Sequence, residues 1–325
     1  DDFTPLSEGD VFLLTDSNQL ASINRDAPSQ LRTSATLSGF MTNGEVAIGM
    51  DFRPFNGNLY VVTKDASDVG RVYTANTSTG SLTFIAMLTA DTAGDPNNLA
   101  GTPTQQSPQY TSLNGTNFGV DFNPAADALR VVSDTGQNLR IFLDDDRRGK
   151  TAGLTITDGT LTGLPAGFNT TGAAYTNSFD GTSTTRLFDI DTVNDRLVLQ
   201  NANDGIVSDV APLGIDATAG NGFDIDPETN VGYALLTVGS SKGLYTIRIP
   251  DAREFAGGAL ATSVATKLGI GVAEAAGGIH RLVNTRMADG VQRIADREVG
   301  GQGAHHEPQR SQDQELFEQV QPVQK

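Results

Sequence analysis

Short apolar runs, most with alternating or continuous Val, Leu, Ile, Phe and Tyr, recur along the body of the chain and are separated by turns of Gly, Asn, Asp and Thr. Runs this short, bounded by residues that tolerate unusual backbone angles, predict β-strands joined as hairpins. Three segments share a pattern of Gly, then Asp two positions on, an apolar residue and Pro. They are Gly49-Met50-Asp51-Phe52-Arg53-Pro54, Gly119-Val120-Asp121-Phe122-Asn123-Pro124 and Gly222-Phe223-Asp224-Ile225-Asp226-Pro227. Each is followed by a turn and a new apolar run, at Leu59 to Val62, Leu129 to Val132 and Gly232 to Leu236. Pro ends the ladder because it lacks a donor, so each segment predicts a strand, a turn and an antiparallel strand. A second hairpin follows in most units, as at Arg71 to Ala75 before Ser81 to Ala86, and Arg186 to Ile190 before Arg196 to Gln200.

Two weaker copies begin at Gly172 and Gly278, so the starting glycines 49, 119, 172, 222 and 278 are spaced by 70, 53, 50 and 56 residues. Each step has room for a four-stranded blade of roughly 40 to 45 residues plus loops. The longest step holds a stretch from about Thr89 to Thr116 rich in Pro, Gln, Asn and Thr. The last copy supplies one strand, near Gly278 to Val283, and the N-terminus supplies three: Val11 to Thr15, Gln19 to Asn24 and Leu31 to Ser38. Joined in one sheet, these four close a ring and leave no large edge unpaired. The expected fold is all-β: a propeller of five four-stranded blades over residues 1–283, closed by its N- and C-terminal strands, with a non-repeat tail from 284 to 325. Six blades is the alternative if the long stretch hides strands.

The composition agrees with many tight turns: 36 Gly, no Cys and no Trp among 325 residues. A formal net charge of −17 repels phosphate backbones, so nucleic acid is not an expected partner. No apolar run approaches the roughly 20 residues of a membrane-spanning helix. The chain begins Asp1-Asp2 without Met, as a secreted chain does after leader removal, although a truncated start looks the same. The expected location is extracellular or at the cell surface.

Three stretches carry a resemblance: Gly119 to Leu139, Ala173 to Asn177 (Ala-Ala-Tyr-Thr-Asn), and Leu187 to Gln200. Through them the sequence resembles a family of secreted bacterial proteins catalogued as domain of unknown function 4394. The resemblance covers about Val11 to Leu268, implies a propeller-like fold and implies no activity.

Catalytic chemistry has few components to work with. Of three His, His305 and His306 sit in the polar tail, leaving His280 in the repeat region. There is no His-Glu-x-x-His and no phosphate loop. Tyr60, Tyr73, Tyr175, Tyr233 and Tyr245 fall inside predicted strands, where packing between blades explains them. Asp144-Asp145-Asp146 lacks the spacing of a calcium-binding loop and reads as solvated. Aligning the repeats sets Asp51, Asp121, Ala174, Asp224 and His280 at one position of five inner strands. If these side chains point into the channel, three carboxylates and an imidazole form a donor set for Ca²⁺ or another divalent cation; if sideways, they are hydrogen-bonded turn formers. Asn76, Asn114 and Asn169 each begin an Asn-x-Ser/Thr triplet, relevant only where secreted proteins are glycosylated.

The tail is polar, rich in Gln, Glu and Arg, with a small apolar cluster at Leu316, Phe317 and Val320. Alone it buries too little to fold, so it reads as a docking arm for a neighbouring copy, or as a segment folded back or linking to a surface. These features lead to a non-catalytic extracellular structural or adhesive module, self-assembling into a filament or matrix through its tail. Its expected partners are copies of itself or other surface components. The rival expectation is a metal-dependent hydrolase or lactonase with its site in the channel.

Overall fold

The computed structural model describes residues 7–92, 109–143, 150–163, 169–256, 258–268 and 279–285. Among them are 21 strands and no helix, hence no helix long and apolar enough to cross a membrane. The chain divides between Met287 and Ala288. The second piece lies outside the described residues, and with it the proposed docking cluster Leu316, Phe317 and Val320. Asp144-Asp145-Asp146 also lies outside them.

The strands form five sheets. The first contains β1 (Val11–Thr15), β2 (Gln19–Asn24) and β3 (Ala27–Thr36), and the second β4 (Val46–Phe52), β5 (Leu59–Lys64), β6 (Gly70–Ala75) and β7 (Leu82–Met87). After β8 (Thr89–Ala90) the third contains β9 (Phe118–Asn123), β10 (Ala128–Ser133), β11 (Asn138–Ile141) and β12 (Leu154–Thr157). The fourth has β13 (Thr170–Tyr175), β14 (Leu187–Asp191), β15 (Arg196–Gln200) and β16 (Val207–Pro212), and the fifth β17 (Ala217–Ile225), β18 (Val231–Val238), β19 (Ser241–Arg248) and β20 (Ala265–Leu268). The last strand, β21 (Ile279–Thr285), pairs antiparallel with β1, with Leu13 opposite Leu282. The ring is therefore closed by one C-terminal and three N-terminal strands, and this is a five-bladed β-propeller.

Strands such as β1 and β10 are buried along their whole length, which explains their nearly continuous apolar runs, whereas the outer strands β3, β7 and β20 expose part of their side chains. Five hydrophobic clusters hold the blades together, one at each junction. Phe12 and Leu14 face Met50 and Val61 of the second blade, while Val11 and Leu13, on the opposite face of β1, pack against Tyr233 and Leu235 of the fifth. Ile48 and Tyr60 meet Phe122 and Val131, Val132 meets Ala173 and Tyr175, and Phe188 and Ile190 meet Phe223 and Ile225.

Outer edges are covered by a recurring device. The segment leaving one blade bonds to the outer strand of the next: Leu82 N donates to Ser38 O at 2.8 Å, Thr89 N to Gly153 O at 2.9 Å, Val207 N to Thr162 O at 2.7 Å and Ala265 N to Leu213 O at 3.2 Å. At the third blade this hand-over becomes a strand in its own right, since β8 pairs parallel with β12. That blade has five strands rather than the expected four, because the chain crossing from β7 satisfies edge groups that water would otherwise have to solvate. The stretch expected as a plain loop also contributes Tyr110 and Leu113 to the junction between the second and third blades.

Candidate axial carboxylate site

The innermost strands of the blades are β4, β9, β13, β17 and β21, each the strand of its sheet that packs on the neighbouring blades' inner strands. The repeat glycines allow that approach. A Cβ on Gly49 would overlap the Val120 side chain, one on Gly119 would lie 2.7 Å from Ala173 N, and one on Gly172 would lie 2.7 Å from Phe223 Cβ. No real Cβ tolerates such distances, so Gly is dictated by the spacing of the ring.

Two residues after Gly49, Gly119 and Gly222, on their inner strands, the motif aspartates converge on one another. Asp51, Asp121 and Asp224 are 1%, 2% and 3% exposed, and each offers an oxygen within 4.8 Å of those of the other two. Two of them also bond sideways. Asp51 Oδ2 accepts the Phe122 N–H at 2.7 Å, and Asp121 Oδ1 accepts the Tyr175 N–H at 3.3 Å. The same register links both pairs: each carboxylate takes the amide one residue beyond its counterpart in the following blade. Ala174 occupies the equivalent place in the fourth blade and is fully buried, without a ligand atom. His280 lies on β21 between Ile279, opposite Thr15, and Arg281, opposite Leu14; its side chain is outside the described residues.

Burial raises the Asp51 carboxyl well above the ordinary carboxylate range, and the charge of Asp224 adds to the effect. Asp121 is raised by burial and then by Asp51 and Asp224. Backbone N–H groups oppose the shift in both but do not outweigh it. Three like groups this close in a dry environment cannot all ionise unaided, so the cluster either retains protons or is neutralised by a cation. Its spacing fits the second option, because oxygens bound to one Ca²⁺ at about 2.3–2.6 Å lie within about 5 Å of each other. The donor set is hard oxygen, suited to Ca²⁺ or Mg²⁺ and not to a soft metal.

The family described as a domain of unknown function, DUF4394, matches residues 19–269. The chain belongs to the DUF4394 family. Among curated proteins there is no match. Among solved structures, the DUF4394 chain is similar to a calcium-binding protein, regucalcin, from Agrobacterium tumefaciens strain C58. The identity is 13%, over 80% of this chain and 75% of that one, with a TM-score of 0.40. A likeness at that level has no bearing on the axial carboxylates.

Other sequence candidates fall where packing places them. The five strand tyrosines are all buried, between fully buried Tyr73 and 8% exposed Tyr233. Asn76 and Asn114 are exposed, whereas Asn169 is half-buried with its Oδ1 enclosed. Asn76 Oδ1 accepts the amides of Ser78 and Thr79, so that side chain already shapes its turn. Sequence reasoning missed the charged ties between blades. Arg53, 2% exposed, grips Asp127 of the third blade through Nε at 2.8 Å and Nη2 at 2.6 Å. Arg25 spans Asp10 at 2.6 Å and Asp226 of the fifth blade at 2.8 Å, and fully buried Arg130 reaches Asp158 at 2.7 Å and the Tyr175 hydroxyl at 3.3 Å. The only sequence signal was an Arg or Asp set beside a Pro-containing turn, and nothing in periodicity pairs residues 74 positions apart.

Proposed function

We propose that this chain is a non-catalytic extracellular module, structural or adhesive, which acts as a rigid propeller and joins copies of itself or other surface components. The observation that supports this reading most is the work its axial carboxylates do. Asp51 and Asp121 accept amides of the next blade from nearly complete burial, which is the geometry of a ring clamp. A catalytic metal would need an open coordination position within reach of substrate. Assembly draws support from the polar tail with its Leu316, Phe317 and Val320 cluster.

Sedimentation of the full chain and of a truncation after Asn284 tests the assembly reading. The full chain should form oligomers or polymers and the truncated one a folded monomer; a monomeric full chain overturns it. The rival, a metal-dependent hydrolase or lactonase, draws on one observation, the convergence of three carboxylates within 4.8 Å. Turnover of simple lactones or esters in the presence of Ca²⁺ or Mg²⁺, abolished by Asp121→Asn, would favour it over the non-catalytic reading.

A further inference from the structure

Asp189 lies in the middle of β14, the second strand of the fourth blade. Its neighbours Phe188 and Ile190 pack toward the fifth blade, so Asp189 faces the third. In register it stands between Ala173 on β13 and Val198 on β15, which belong to the apolar cluster that Val132 of the third blade joins. Asp189 is 0% exposed, and neither of its carboxyl oxygens has a hydrogen-bond partner.

The charged groups of this junction are engaged elsewhere. Arg130, from β10, donates Nη1 to Asn138 Oδ1 and Asp158 Oδ2, both at 2.7 Å, and Nε to the Tyr175 hydroxyl at 3.3 Å. Arg140, from β11, holds the two oxygens of the same Asp158 at 2.8 and 3.2 Å. Asp191, next along this face of β14, accepts the amides of Asn169, Val193 and Asn194, and Arg196 opposite it on β15 is held by Asp209 of β16. Asp121 of β9 takes the Tyr175 N–H and belongs to the axial cluster. Gln200, two residues beyond Val198 on the same face, donates Nε2 to Asn138 Oδ1, but its Oε1 is enclosed without a donor. Enclosed acceptors here already lack donors, so an ionised Asp189 enlarges the mismatch and a proton on it reduces it.

Burial accordingly holds the Asp189 carboxyl well above the ordinary carboxylate range, and the attraction of Arg130 opposes that shift without reversing it. We propose that Asp189 is a proton-operated latch between the third and fourth blades. With its proton on, the side chain is neutral and the junction closes over it. Once ionised, it is a bare carboxylate in an apolar contact with no donor to receive it, and this junction opens before the others. The native state keeps a proton that the unfolded chain releases above 3.8. The latch therefore contributes fully below that value and is lost as pH rises through the raised native pKa. This goes beyond the reading of a rigid module, because it makes the rigidity of the ring depend on pH at one identified junction.

Melting of the full chain across pH tests the latch. Asp189→Asn, nearly the same shape but unable to ionise, should melt above the unaltered chain at neutral pH and level with it in acid, where both side chains are neutral. The axial carboxylates respond to pH as well, so the comparison is repeated in the Asp121→Asn background, where the gain from Asp189→Asn should persist. Hydrogen exchange locates the opening. Protection of the Val207 N–H, bonded to Thr162 O across this junction at 2.7 Å, should fall with rising pH relative to that of the Thr89 N–H, bonded to Gly153 O between the second and third blades at 2.9 Å. Asp189→Asn should abolish that difference. Should the variant fail to fold, the carboxyl carbon shift of Asp189, followed by NMR with pH in the unaltered chain, reads the proton directly. A carboxyl already ionised at neutral pH, a folded variant that melts no higher there, or equal loss of protection at Val207 and Thr89 overturns the proposal.

Discussion

Gly119 and Ala173 stand so close across the junction between the third and fourth blades that a Cβ on the glycine would lie 2.7 Å from the alanine nitrogen. The obstacle is backbone, which cannot swing aside as a side chain can. Gly119→Val should therefore force the two inner strands apart and destabilise the ring by about 1–3 kcal/mol or more. Urea denaturation checks this: an unchanged midpoint would mean that the blades pack less tightly than this spacing requires.

Arg53 and Asp127 form an enclosed charged tie between the second and third blades, with side chains 2% and 7% exposed. Removing only the cation leaves a carboxylate buried without its partner. Arg53→Met should cost about 3–5 kcal/mol, and the double variant Arg53→Met with Asp127→Asn should recover a large part of it. A double-mutant cycle with no coupling would show that the two residues act independently.

The axial carboxylates predict a particular pH dependence. Because burial and mutual repulsion raise Asp51 and Asp121 in the folded chain, the native state holds more protons than the unfolded one above the ordinary carboxylate pKa of 3.8. Stability from these groups is thus fully present below that value and declines as pH rises through the raised native pKa. Asp121→Asn should flatten the decline. A divalent cation binds only the ionised cluster, so Ca²⁺ should raise the melting temperature more at neutral than at acidic pH, and chelator should reverse it. Equal melting with Ca²⁺ and with chelator at every pH would leave the cluster proton-sharing, with clamp duty alone.

The blade count was legible because Gly, Asp and Pro mark the end of three inner strands and two weaker copies, at Gly172 and Gly278, keep a readable spacing. Closure was legible because three N-terminal runs and one C-terminal run complete one sheet. The physical demand behind the motif was not. Gly49 is required by Val120 and Asp51 is engaged by Phe122, contacts that span 71 residues and join different blades. A single repeat shows its own hairpin but not the surface its neighbour presents.

Ring closure itself yields the last prediction. Leu13 and Leu14 face opposite sides of β1, the first toward the fifth blade and the second toward the second, and the same strand pairs with β21 along its length. Deleting residues 1–40 removes β1, β2 and β3 together, so it strips two of the five hydrophobic junctions and leaves β21 with an open edge. Loss on that scale exceeds the total stability of an ordinary domain, about 5–15 kcal/mol, and the remaining blades should no longer melt in one cooperative transition. A circular permutant provides the control, since Val11 and Thr285 are ladder partners and a short linker can join the two ends. Opened between the first and second blades, it retains every strand and both junctions. The permutant should melt cooperatively where the deletion does not; cooperative melting of both at the same temperature would contradict closure by the N-terminal strands.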